Sequence, residues 1–321
     1  GTNAHVIIKQ APIKISAKNI HNKTDVNLFS LSAKTKEQLN ATIQNYNHFI
    51  QELPDDKLRD LCYSTAIGRD QFAHRIAFII ENMDQLRGQL LNVASISFNP
   101  PKTSIIDTIF IHSDTDLKLP VSVQLKEKAF EVIKSKFGIS KLESKENPND
   151  AMLEELLNSY LNFELLNRLN LSSQNVYGSS ISILGSMTAL GKINFHEAID
   201  ILNQWIINKN NTKELKFIKS SDFSTIQPEQ ILQSEGIKNT EQFLKNNPED
   251  DHKKYLFLDP IQYFKVDHAI FDLKTFLEEL RVLYLKGFTI HFEKLYTNQD
   301  CTQLLLPNYP FSKHSYWIKS E

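Results

Sequence analysis

Between Asn27 and Val93 the apolar residues switch period from two to about 3.6, back to two, and to 3.6 again, which confines this stretch to one strand and helix order. Leu28-Phe29-Ser30-Leu31-Ser32 alternates as a strand does. Thr35, followed three residues later by Gln38, has the form of a capping box. Leu39, Ile43, Tyr46 and Ile50 then fall on one face of a helix. Pro54, Asp55 and Asp56 mark the turn into a second helix, which Gly68 is placed to end. His74–Ile80 reads as a buried strand, and Leu86, Leu90 and Val93 as a short third helix. The order strand, helix, helix, strand, helix predicts a compact α+β unit over residues 27–96.

The rest of the chain divides around this unit. Residues 1–26 begin with the apolar Val6-Ile7-Ile8 and continue through Lys9, Lys14, Lys18 and Lys23 as a connector. Pro100-Pro101 marks a hinge, Ile105–His112 a second apolar strand, and Ser140–Asp150 a polar run. From Met152 to Leu169 the apolar positions 153, 156, 157, 161, 165, 166 and 169 trace one helical face. Residues 97–300 form a second region. In the closing residues, 301–321, aromatics alternate with prolines, which cannot donate to a ladder and hold φ fixed. An extended strap is expected there, with Tyr309, Phe311, Tyr316 and Trp317 as the rings that bury.

Composition excludes several functions. A balance of 36 Lys plus Arg against 38 Asp plus Glu, net −2, points to neither nucleic acid nor an acidic lipid surface. Two cysteines, Cys62 and Cys301, supply no disulfide framework, and His112, His196, His291 and His314 lack ligand spacing, so neither a metal nor a bound cofactor is expected. No apolar run approaches the roughly 20 residues of a membrane helix, and no leader-like segment opens the chain. A cytoplasmic setting is the simplest reading. With Gly1 inside a motif and no initiator Met, the chain reads as a piece of a larger protein.

Gly1-Thr-Asn-Ala-His-Val-Ile7 and Leu306-Pro-Asn-Tyr-Pro-Phe-Ser-Lys-His-Ser-Tyr-Trp317 resemble the two ends of the excursion that follows the ketosynthase in modular polyketide synthases. Leu28–Lys34, Leu61–Arg69 and Phe72–Ala77 resemble the linker domain between ketosynthase and acyltransferase. For these residues core packing and turn chemistry are the preferred roles, and His5, Arg69 and His74 are read as structural.

Val176–Leu184 and Leu190–Ile201 resemble the nucleophile region of malonyl-type acyltransferases, whose pattern is Gly-His-Ser-x-Gly. On this chain the pattern gives Gly178-Ser179-Ser180-Ile181-Ser182, with Gly191 and Ala198 on matching downstream positions. Ser180 occupies the nucleophile's place. That chemistry needs a serine on a tight strand-to-helix turn with small neighbours, and Ser182 puts a Cβ where the family has glycine. The arginine that would pair with a malonyl carboxylate falls at Trp205, which cannot form a bidentate pair. Where the family has a Gly-Gln-Gly loop, Phe110-Ile111 runs into His112-Ser-Asp-Thr-Asp116. The stretch from Ser180 to the resembling C-terminal helix, Leu277–Gly287, is much shorter than in the family, and the segment bearing the general-base histidine is missing from it. His252 lies in an acidic, solvated run. His268, with Asp267 or Asp272 to orient it, is the candidate replacement base.

The resemblance implies an α+β linker domain, a small sheet with helices, followed by a truncated α/β acyltransferase-like domain. No catalytic residue is expected, Ser180 being a vestigial nucleophile position. The implied role is a scaffold that positions its own ketosynthase and docks a free-standing acyltransferase, beside an acyl carrier protein whose phosphopantetheine is the cofactor of the assembly. Two alternatives stand beside it. One is an atypical serine acyltransferase or acyl hydrolase using Ser180, with Ser179 or Ser182 assisting, His268 as base, and an uncharged acyl group. The other is an unrelated domain inserted over residues 97–300.

Overall fold

The computed structural model describes residues 5–6, 26–93, 105–111, 120–138, 140–142, 147–171, 173–207, 215–219, 253–258, 272–297 and 301–311. Strand β1 (Asn27–Ala33) pairs antiparallel with β2 (His74–Ile80), Asn27 opposite Ile80 and Ala33 opposite His74. Successive side chains of a strand point to opposite faces. Phe29, Leu31 and Ala33 therefore join Ile76 and Ile80 on one face, covered by α1 (Lys36–Glu52), α2 (Leu58–Gly68) and α3 (Met83–Asn92). Helix α1 starts where the sequence places it, because the Thr35 hydroxyl accepts the Gln38 N–H at 3.2 Å. Its Leu39, Ile43, Tyr46 and Ile50 are all buried. A turn of 3-10 helix at Asp55–Lys57 follows Pro54 and leads into α2.

The second sheet has the order β5-β4-β3-β6. Strand β3 (Ile105–Ile111) lies parallel to both β4 (Ser173–Ser179) and β6 (Lys253–Leu258), and β5 (Leu215–Lys219) runs antiparallel on the outside of β4. Parallel neighbours require a crossover. Here α4 (Pro120–Phe137) and α5 (Pro148–Arg168) make it. All seven apolar positions read from the sequence of α5 are buried. The helix begins earlier than its apolar face, since the Asn147 side chain caps the Asn149 N–H at 3.0 Å and Pro148 suits the first helical position. After β4 come α6 (Ser180–Ala189) and α7 (Phe195–Ile207). Helix α6 is buried along its whole length. It reaches α5 closely at Gly185, where a Cβ would overlap the Ser159 hydroxyl and lie 2.9 Å from the Tyr160 nitrogen. Gly191, at φ +68, ends α6 in the conformation glycine tolerates best.

Helix α8 (Leu273–Leu285) closes the molecule. Its Phe276, Leu277, Leu280, Leu283 and Tyr284 pack with Leu28 and Ala77 from β1 and β2 and with Ile106, Ile109 and Val176 from the second sheet. The serine-bearing face of β1 is therefore covered, and Ser30 and Ser32 line a cavity of about 10 Å³ beside Tyr284. Arg75 reaches across this seam. Its guanidinium donates to the carbonyls of Phe72, Tyr284 and Phe288 at 2.5, 2.8 and 2.7 Å and stacks 4.7 Å from the Tyr284 ring centroid. Gln71 pairs with the Ile290 backbone, donating at 2.5 Å and accepting at 3.1 Å.

After the 3-10 turn at Phe292–Tyr296, residues 301–311 run beside α2 without helix or strand. The Thr302 and Leu304 N–H groups donate to Asp60 Oδ1 and Ser64 Oγ, each at 2.8 Å, and Arg69 donates to the Pro307 carbonyl at 2.6 Å. Tyr309 is half-buried and fixed by its hydroxyl, which accepts from the Lys34 N–H at 2.9 Å and donates to Gln38 at 3.0 Å. The expectation that Phe311 buries is corrected: it is 79% exposed and touches the edge of Tyr309, while Leu306, 9% exposed, fills the core instead. Tyr316 and Trp317 lie outside the described residues.

Candidate functional site

The three parallel strands β3, β4 and β6 end together, with Ile111 beside Gly178 on one side and Leu258 on the other. Ligand sites of open α/β sheets lie at the carboxyl ends of such strands. Here β4 passes into α6 in one step between Ser179 and Ser180. Ser179 is the N-cap of α6, its hydroxyl accepting the Ser182 N–H at 3.0 Å. At φ −63 and ψ 161 it is ordinary extended backbone. Asn170 is the one non-glycine with positive φ among the described residues, so the turn at Ser180 is relaxed rather than held as a strained elbow.

The side chains around Ser180 are organised by Glu155 of α5. The Ser179 hydroxyl donates to Glu155 Oε1, and the Ser182 hydroxyl donates to the same oxygen at 3.1 Å. The two serine oxygens lie 3.0 Å apart. A helix N-terminus attracts negative charge through its unpaired N–H groups and its dipole. In α6 that attraction acts on a carboxylate of the protein itself. Ser180 points elsewhere: it is 3% exposed, and its Oγ has no hydrogen-bond partner among the described residues. A serine becomes a nucleophile by passing its proton to a base, and among the described residues no such base touches Ser180.

The remaining candidates scatter. Trp205, at the arginine position, is buried among Ile181, Leu184 and Leu202, with no partner for its indole N–H among the described residues. Asp272 is committed to helix α8, accepting the Thr275 N–H at 2.7 Å in a capping box. His196 and His291 are exposed and on different elements. Arg69 serves the strap, and His74 opposes Ala33 in the β1–β2 pair. His112, His252, Asp267, His268 and His314 lie outside the described residues, as does the stretch from His112 to Asp116. Sequence reasoning missed Glu155. Its one signal was a carboxylate placed between the buried positions 153 and 156 of an amphipathic helix.

A family model described as "CurL-like, PKS C-terminal" matches residues 27–90. An atrochrysone carboxylic acid synthase of Aspergillus chevalieri is 27% identical over 115 residues, covering 34% of this chain and 6% of that protein. The polyketide synthase PksL of Bacillus subtilis is 26% identical over 140 residues, 41% of this chain and 3% of that one. The chain thus spans only a few per cent of the curated relatives it matches. Among solved structures, the acyl transferase domain of ZmaA superposes with a TM-score of 0.61 at 11% identity, over 89% of this chain and 100% of that one. The fold is acyltransferase-like, and the sequence is similar to segments of polyketide synthases.

Proposed function

We propose that this chain is a non-catalytic, acyltransferase-like segment of a modular polyketide synthase of the kind served by free-standing acyltransferases. It positions the ketosynthase of its own synthase and recruits the discrete acyltransferase, which loads the phosphopantetheine of an acyl carrier protein. The observation that carries this reading is Ser180, whose hydroxyl is buried without a partner among the described residues while Glu155 holds the hydroxyls on either side. Two further features support it. The Glu155 carboxylate occupies the end of α6 that would otherwise stabilise an oxyanion, so an incoming malonyl carboxylate meets like charge there. Trp205 offers no cation to offset that repulsion.

The test is intact-mass spectrometry of the folded chain incubated with acetyl-, malonyl- and longer acyl-CoA donors, beside Ser180→Ala. No adduct with any donor is the expected result. An adduct present in the wild type and lost in Ser180→Ala would make the segment an acyltransferase and overturn the scaffold reading. The docking half of the proposal expects saturable binding of a discrete acyltransferase to the full chain, and fails if none is detected.

A further inference from the structure

The cavity beside Tyr284 lies where three elements meet. Strand β1 gives it Ser30 and Ser32, α2 gives it Thr65, α8 gives it the Tyr284 phenol, and Arg69 flanks it from the end of α2. Its volume, about 10 Å³, is far below the roughly 300 Å³ at which small-molecule pockets begin and close to what a single water needs. A buried water also takes two to four hydrogen-bonding partners.

The hydrogen bonds around the cavity sort its lining into spent and open groups. Ser32 is spent: its hydroxyl donates to the Asp70 carbonyl at 2.8 Å and accepts the Phe72 N–H at 2.9 Å. So is Gln71, whose amide pairs at both ends with Ile290. The Thr65 and Tyr284 hydroxyls give their protons to the carbonyls of Cys62 at 2.9 Å and Leu31 at 3.2 Å, so each has only an acceptor left to offer. Arg69 donates to the Gly68 and Pro307 carbonyls, each at 2.6 Å, and a guanidinium has further N–H groups beyond two. Among the described residues no carbonyl takes the Ser30 proton. Two open donors, Arg69 and Ser30, therefore face two open acceptors, Thr65 and Tyr284, across a space of one water.

We propose that this cavity is a water site, and that its water bridges β1, α2 and α8 by hydrogen bonds. Water is the ligand this lining selects, because it accepts from Arg69 and Ser30 and donates to Thr65 and Tyr284 at once. An ammonium ion only donates and meets the Arg69 charge, and a halide only accepts. Since Arg69 also holds Pro307, the bridge links the anchor of the strap to the first sheet. This inference is independent of any activity at Ser180.

Two measurements test it: a crystal structure of the full chain that shows ordered solvent, and urea denaturation of Ser30→Val. The wild type should show one solvent peak in the cavity, about 2.7–3.2 Å from the Thr65 and Tyr284 oxygens. Valine suits a strand and its methyl groups fill space, so a dry cavity leaves the urea midpoint of Ser30→Val unchanged or raises it. A water site gives the opposite result. Valine then displaces the water, leaves Arg69, Thr65 and Tyr284 facing carbon, and lowers the midpoint. Where Ser30→Val does not fold, Ser30→Ala takes its place: it should keep the solvent peak and lower the midpoint, because the water loses one partner. A wild-type cavity without a solvent peak overturns the proposal, and so does a peak combined with a midpoint that stays or rises in the variant.

Discussion

Replacing Ser180 with alanine should stabilise the protein, whereas the same change at its neighbour Ser179 should destabilise it. Ser180 is 3% exposed, and its buried oxygen makes no hydrogen bond among the described residues. A buried hydroxyl left without a partner forfeits about 1–3 kcal/mol of hydration. Removing it loses the dispersion contacts of one oxygen, a few tenths of a kcal/mol, and alanine returns a similar amount in helix propensity. The net expectation for Ser180→Ala is a gain of about 1 kcal/mol. Ser179→Ala removes the N-cap of α6, at about 1 kcal/mol, and takes one of the two serine donors from Glu155, at about 1 kcal/mol more. Urea denaturation of both variants beside the wild type, at one pH and with slopes compared, reads the difference directly. The two neighbouring serines should separate by about 3 kcal/mol in opposite directions. If Ser180→Ala instead loses 1 kcal/mol or so, its hydroxyl has a partner, and the argument that no base attends it fails.

Gly185→Ala should destabilise by about 1–3 kcal/mol despite alanine's better helix propensity. The reason is that the new Cβ meets the Tyr160 nitrogen at 2.9 Å and the Leu156 carbonyl at 3.0 Å, backbone atoms of α5 that cannot rotate away; an unchanged or raised urea midpoint would refute this. Arg75→Met should cost about 2–4 kcal/mol, because three carbonyls lose a charged donor at the seam with α8. Hydrogen exchange should then rise in α8 and in the β1–β2 pair together, and a change confined to β2 would count against the seam. Alkaline pH should weaken the fold. Burial pushes the hydroxyls of Tyr46 and Tyr284 up to about 12. The folded chain keeps both protonated while the unfolded chain ionises near pH 10, so the stability they contribute is whole below about pH 10 and is lost as pH rises through about 12. Urea midpoints at about pH 9 and pH 11 test this, and folded-state phenolate absorbance near pH 10 that disappears on replacing Tyr46 or Tyr284 with phenylalanine would contradict it.

Local features of this chain were legible because they depend on neighbours in sequence. The Thr35 cap and the helical face of α5 each follow from residues a few positions apart, whereas the strand-to-helix passage at Ser180 was expected only through the resemblance to acyltransferases. Helix α4 and strands β5 and β6 went unread, and their interleaved lysines blur the apolar period in LKFIK and KKYLFL. Phe311 shows a different limit. Extended chain turns successive side chains to opposite sides, so which residue of the strap is buried depends on its register on α2. Asp60 and Ser64 set that register through the Thr302 and Leu304 amides, and it sends Leu306 inward and leaves Leu305 93% exposed.

The candidate site divides in the same way. The resemblance carried by Gly178-Ser179-Ser180-Ile181-Ser182 placed a serine on a strand-to-helix turn, with Ser182 adding a Cβ where the family has glycine. What surrounds that serine was decided only by the packing of α5 against α6, which carries Glu155 to Ser179 and Ser182 and leaves the Ser180 hydroxyl without a partner among the described residues. A sequence can state which residues favour a turn, a cap or a buried face, because backbone sterics and local hydrogen bonds act over a few residues. Which carboxylate reaches which hydroxyl depends on the distance between helices, and here that distance is set by a single glycine that lets two backbones meet.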